Sequence, residues 1–195
     1  ILNFEQHLND NFFNTLNLLE TLKKVRLEKF IFAGSAAVYR EGNNLTESSK
    51  YSYENDYGIS KLLSSKLLTF YKNIYNFPAV ELRYFSIYGD WEKKNRLVMS
   101  AINLGLKKKN FIFYSENQLR DYIYIDDAVD ALLQAFKNKK IKGIFNICSS
   151  KKQGTHNLVK IIYKKLGLKN HKIRKNLNIK QNKIKKLVGN NSKAK

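Results

Sequence analysis

Tyr57 and Lys61 stand four residues apart at the head of a pattern in which Leu62, Leu63, Leu67, Leu68, Phe70, Tyr71 and Ile74 recur at roughly helical spacing. Residues four apart share a helix face, so the phenol and the ammonium would point the same way. An ammonium beside a phenol favours the phenolate. A phenolate near neutral pH is a base able to take a proton from an alcohol. The same spacing fits an ordinary amphipathic helix with Tyr and Lys at its wet edge. Ser35 follows a short apolar run, Lys29 to Ala33, that ends at Gly34. Ligands of open parallel sheets gather at the carboxyl ends of the strands, where a serine hydroxyl would donate to a substrate oxygen. A plain loop serine fits the position as well. Arg83, Arg96 and Arg120 are three of the few arginines in a lysine-rich chain, and the guanidinium fork suits phosphate. Arg120 precedes Asp121, so a local ion pair is its other reading. His7, His156 and His171 have no partners at ligand spacing; they read as surface residues, and no metal site is expected.

The elements that must position these groups follow from periodicity. Leu8, Phe12, Leu16, Leu19, Leu22 and Val25 form an apolar stripe that predicts a helix over 4–26. Residues 29–33 read as a buried parallel strand, 40–52 as a polar loop, and the helix bearing Tyr57 as running to about Tyr75. Pro78 follows, and 79–85 is the next strand. This alternation argues for a parallel α/β sheet. Further on, 97–106 reads as helix, 111–114 as a short strand and 122–125 as another apolar stretch. A helix through Phe136 would be capped by Asp126 or Asp127. A strand over 144–148 and a helix over 155–166 follow. Beyond Gly167 the chain is lysine-rich and poorly patterned.

The 195 residues suffice for one real core with a small second lobe. A single cysteine, Cys148, rules out a disulfide framework within the chain. No apolar run approaches the roughly 18 residues of a membrane span, and no signal peptide is visible. A reducing cytoplasm is the default location. The formal charge of +20 invites a nucleic-acid reading, but the lysines are spread along the chain and no zinc or RNA-recognition pattern accompanies them. Solvated lysine-rich faces are the preferred account.

Five stretches, in order, carry a resemblance: Asn11 to Glu20, Phe32 to Tyr39, Tyr57 to Lys61, Leu82 to Gly89 and Arg120 to Asp127. Together they resemble the extended short-chain dehydrogenases, in the NAD-dependent epimerase/dehydratase group that acts on nucleotide sugars. The resemblance implies a Rossmann-like, doubly wound parallel sheet lacking its first strands, with a small C-terminal α/β substrate lobe. Residues 1–90 would be a partial NAD(P)-binding domain holding the catalytic residues. Residues 91–195 would be mostly substrate lobe, with 121–150 returning to the main sheet. It further implies that Tyr57 is the base, that Lys61 holds the nicotinamide ribose of NAD or NADP, and that Ser35 bonds the reacting oxygen. Asn11 and Tyr84 fall at cofactor contacts, Ser86 at a diphosphate contact, and Arg120 at the diphosphate clamp. Asn95 to Val98 (Leu97 among them), Ile112 and Tyr114 fall at the nucleotide base, and Lys180 near a second phosphate site. The helices over 5–25 and 54–75 resemble the family's four-helix dimer contact.

The departures are informative. The glycine-rich phosphate loop and the acidic residue after the second strand are absent, and both ends of the chain read as truncated. Ser86 stands where the family has Asn, Arg40 and Asn14 where it has Gly. The 4,6-dehydratases carry Asp-Glu where this chain has Ala36 and Ala37. The expected activity is therefore a nucleotide-sugar epimerase, acting at C4 through a transient 4-keto sugar. A 4-ketoreductase or dehydratase of the same family, and a non-catalytic basic fragment that binds polyanions, are the alternatives.

Overall fold

The computed structural model describes residues 3–113, 118–168, 173–175 and 186–195. The first predicted helix is one continuous rod in three parts: α1 (Phe4–His7), a π-helical turn (Leu8–Phe13) and α2 (Asn14–Leu22). It ends four residues before the sequence pattern suggested. Of the apolar stripe only Leu19 is fully buried, and Val25 lies outside the helix and exposed. The long helix α3 (Asp56–Tyr75) begins where the Asn55 side chain accepts the Gly58 N–H at 2.6 Å. It stops at Asn76, whose left-handed backbone (φ 52°) closes the end.

Strands β1 (Phe30–Ser35) and β3 (Ala79–Tyr84) pair in parallel, with Gly34 opposite Arg83 and Ser35 opposite Tyr84. On the far side of β3 lies a late parallel strand, Gly143–Ile147. One face of this sheet packs on the helix that precedes that late strand, burying Val80, Leu82, Ala128, Ala135 and Ile147. The other face, toward α3, holds a buried ion pair. Arg83 Nε lies 2.9 Å from Glu81 Oε1, and the pair is tied to the Tyr39 hydroxyl and to Ser65 Oγ. Tyr39 in turn donates to Asn146 at 2.7 Å, and burial pushes its phenol up to about 12, so it remains a donor. Arg83 is thereby removed from the candidate phosphate ligands. Gly34 makes room for the pair: a Cβ there would stand 2.6 Å from Glu81 Oε1. Gly34→Ala should cost about 1–3 kcal/mol by overpacking, read as a lowered denaturant midpoint.

A second sheet runs in the order β2, β10, β6, β4. Its strands are β2 (Gly42–Leu45), β4 (Ser86–Tyr88), β6 (Leu119–Tyr124) and β10 (Lys186–Gly189). Two of these correct the sequence reading. The polar stretch 40–52 contains β2, and the lysine-rich tail contains β10. The two pair with each other in parallel. Within 121–150, β7 (Gly143–Ile147) pairs with β3, while β6 lies in the second sheet beside β4. Helix α5 (Ile125–Lys137) has Tyr124 at its N-cap with no side-chain cap bond; Asp126 and Asp127 sit in its first turn instead. A hairpin-like strand, β8 (Lys152–Gly154), pairs antiparallel with β6 and leads into α6 (Thr155–Lys165). The last layer joins α4 (Leu97–Leu106), α6, β5 (Phe111–Phe113) and β9 (Ile173–Lys175) around Ala101, Phe111, Phe113, Val159 and Tyr163. Among the described residues no helix is long and apolar enough to cross a membrane.

Candidate active site

The carboxyl end of β1 and the first turn of α3 meet. Ser35 Oγ accepts the Ala37 N–H at 3.2 Å and so caps the short 3-10 turn Ala36–Val38. Gly58 packs on that turn so closely that a Cβ would collide with the Ala37 carbonyl. The sequence neighbours of that contact are the residues of interest. Tyr57 is 41% exposed, with the His7 ring edge-on at 5.8 Å. Lys61 is buried, its ammonium 4.2 Å from the centroid of the Phe32 ring on β1. Thus Lys61 turns toward the strand and not into bulk water. Burial holds its pKa below the usual lysine value, and the Glu81 carboxylate opposes that shift.

The folded pKa of Lys61 lies below its unfolded value, so stability should rise with pH as the folded form deprotonates first, up to the unfolded value of roughly 10.4. Below the folded pKa the full burial cost remains. Lys61→Met should therefore raise the thermal midpoint near pH 7 and flatten this alkaline gain, as melts across the pH range would show.

Asn11 and Tyr84 flank this region. Asn11 sits in the π turn, donating from Nδ2 to Ser60 Oγ at 3.0 Å and to the His7 carbonyl at 3.1 Å. Its carbonyl accepts the Ser64 hydroxyl. Tyr84 lies beside Ser35 in the sheet and donates to the Ala128 carbonyl at 3.3 Å; burial raises its phenol pKa.

Four other sequence-predicted residues, Ser86, Asn95, Leu97 and Arg120, line a single cavity of about 360 Å3. Asn95, Leu97 and Ile112 line a second of about 510 Å3. Tyr114, Lys180 and His171 lie outside the described residues. Arg120 does not pair with Asp121. It donates to Gln118 Oε1 at 2.7 Å and to the Leu119 carbonyl at 3.2 Å, and burial lowers the pKa of its guanidinium. Asp121 faces the other way, fully buried, and accepts from the Ser149 backbone and hydroxyl and from the Gly189 N–H. His7 and His156 are half-buried rather than on the surface. Among the described residues no group of three His, Cys, Asp or Glu is placed to hold a metal ion. The cavity also contains Glu92 and Gln118, which sequence reasoning missed. Glu92 and Arg96, four apart, were a readable pair; nothing in the sequence singled out Gln118.

A profile of the NAD dependent epimerase/dehydratase family matches residues 3–148. The chain belongs to the NAD-dependent epimerase/dehydratase family. It is 31% identical over 170 residues to a putative UDP-glucose 4-epimerase of Methanocaldococcus jannaschii, covering 84% of this chain and 55% of that protein. It is 38% identical over 152 residues to the ADP-L-glycero-D-manno-heptose-6-epimerase of Brachyspira hyodysenteriae, covering 71% of this chain and 46% of that one. The structure of a UDP-glucuronic acid 4-epimerase from Bacillus cereus in complex with NAD superposes with a TM-score of 0.87 at 27% identity. That match covers 98% of this chain and 61% of the other. The chain thus spans about half the length of the curated relatives it matches, and its α/β architecture is that of the family's Rossmann-fold enzymes.

Proposed function

We propose that the chain is the catalytic and substrate-binding part of an NAD-dependent nucleotide-sugar 4-epimerase. The observation that carries this reading is the buried Lys61 ammonium, one turn after Tyr57, on a helix whose start is pressed against the Ser35 turn. Tyr57 takes the proton of the C4 hydroxyl, Ser35 hydrogen-bonds the same oxygen, and Lys61 supplies a fixed positive charge beside them. When bound, NAD would accept the C4 hydride and return it to the opposite face of the 4-keto sugar. The residues fit the nicotinamide-ribose end of that cofactor. The Lys61 ammonium makes no hydrogen bond among the described residues, which leaves its donors for ribose hydroxyls. Asn11 and Tyr84 would line the same end. The sequence holds no glycine-rich pyrophosphate loop, so weak NAD binding by these 195 residues is expected.

Arg120 would hold the diphosphate, with Ser86 beside it, and Asn95, Leu97 and Ile112 the nucleotide. Ala36 and Ala37 place no carboxylate at the turn, which favours epimerisation over loss of water. The exposed apolar residues Phe13 and Leu18 on the first rod, with Leu63, Phe70 and Ile74 on α3, support pairing of two copies through these helices. The reading is tested by following UDP-glucose with NAD by NMR in the protein. Appearance of UDP-galactose without net consumption of cofactor supports it. Stoichiometric loss of NAD(P)H absorbance with a 4-keto substrate would favour the ketoreductase instead.

A further inference from the structure

The 360 Å3 cavity contains two polar atoms that the fold buries and leaves unused. Gln118 is 8% exposed and its backbone is tied on both sides to Thr155: its N–H donates to Thr155 Oγ1 at 3.1 Å and its carbonyl accepts the Thr155 N–H at 2.9 Å. Its side-chain oxygen accepts from Arg120. Turning the amide over would set its NH2 against the guanidinium N–H groups, donor against donor, so its orientation is fixed. Nε2 is left buried with no hydrogen-bond partner. Glu92, on the same wall, has a side chain only 12% exposed. Its Oε1 lies 3.6 Å from Arg96 Nε, whereas Oε2 is buried and has no partner. Burial raises the Glu92 pKa, with Arg96 and the Met99 N–H opposing.

A buried donor and a buried acceptor, each left without a partner, cost stability unless something supplies one. The Arg96 ion pair accounts for one oxygen of Glu92, and the anchoring of Arg120 accounts for one atom of Gln118. Neither explains the second atom of each. We propose that Gln118 and Glu92 are specificity residues of this cavity: the Gln118 amide joins Arg120 in holding an oxyanion of the ligand, and the Glu92 carboxylate accepts a hydroxyl of the same molecule. The inference rests on the nucleotide-sugar reading, in which the oxyanion is a phosphate and the hydroxyl belongs to the ribose or the hexose.

Isosteric changes invert each group without altering its size. Gln118→Glu keeps the oxygen that anchors Arg120 and turns the cavity-facing donor into a negative acceptor. Glu92→Gln keeps an oxygen for Arg96 and puts an NH2 where the free oxygen stood. Isothermal titration of this chain with UDP and with UDP-glucose, alongside melts to confirm folding, reads the result. Gln118→Glu should weaken both ligands tenfold or more. Glu92→Gln should weaken binding severalfold: loss for both ligands assigns the hydroxyl to ribose, loss for UDP-glucose alone assigns it to the hexose. Wild-type affinity in either variant overturns the proposal and leaves the nucleotide-sugar reading intact. If the unaltered chain binds neither ligand, that reading falls as well.

Discussion

Tyr57→Phe should lower turnover by about 10²–10⁴-fold while leaving the substrate KM within a few-fold. That is the range for removing a positioned acid–base group. The phenyl ring keeps the contact with His7 and the shape of the first turn of α3, so binding and stability should hardly change. Only the hydroxyl, with its exchangeable proton, is lost. The experiment is a steady-state comparison of the two proteins with NAD and UDP-glucose. Near-normal kcat in the Phe variant would remove Tyr57 from the role and leave Ser35 without a partner in proton transfer. Lys61→Met should give a loss of similar size while raising the thermal midpoint near pH 7. The active-site charge would then stand as a cost to the fold that function retains.

Arg83→Met should be the most destabilising single change in the sheet, by about 3–5 kcal/mol. Removing the guanidinium leaves the Glu81 carboxylate buried, with Ser65 as its remaining described partner. It also strips Tyr39 of the cation against its hydroxyl. In a chain of this size the change corresponds to a drop of roughly 10 °C in the thermal midpoint. Adding Glu81→Leu should recover part of the loss, because the stranded charge goes with it. The recovery stays partial, since Ser65 then loses its acceptor. Chemical denaturation of the single and double variants measures both steps. A loss below about 1 kcal/mol for Arg83→Met would mean that water reaches Glu81 in the native state.

The pairing of Glu81 with Arg83 is legible in the sequence, since residues two apart on a strand share a face. Local pattern was a reliable guide where one element carries its own signal: the Tyr57 helix, β1, β3, α4 and α6 all lie close to their predicted positions. It failed where pairing partners are remote. Gly42-Asn-Asn-Leu45 has a turn-like composition and becomes a strand only because Lys186–Gly189 lies alongside it. The cavity residues divide in the same way. Arg120 was legible through the motif around it, whereas Gln118 earns notice only once its amide is seen fixed against Arg120.

The wide turn in the first rod has a consequence for chain length. A π turn carries one residue more per turn than the helices on either side. Deleting a single residue from Leu8–Phe13 would restore an ordinary helix without breaking it. The segments on either side would keep their faces, because the wide turn already absorbs the extra residue within itself. His7 would stay at the rim of the Tyr57 ring, and the Asn11 amide, inside the turn, would lose its reach to Ser60.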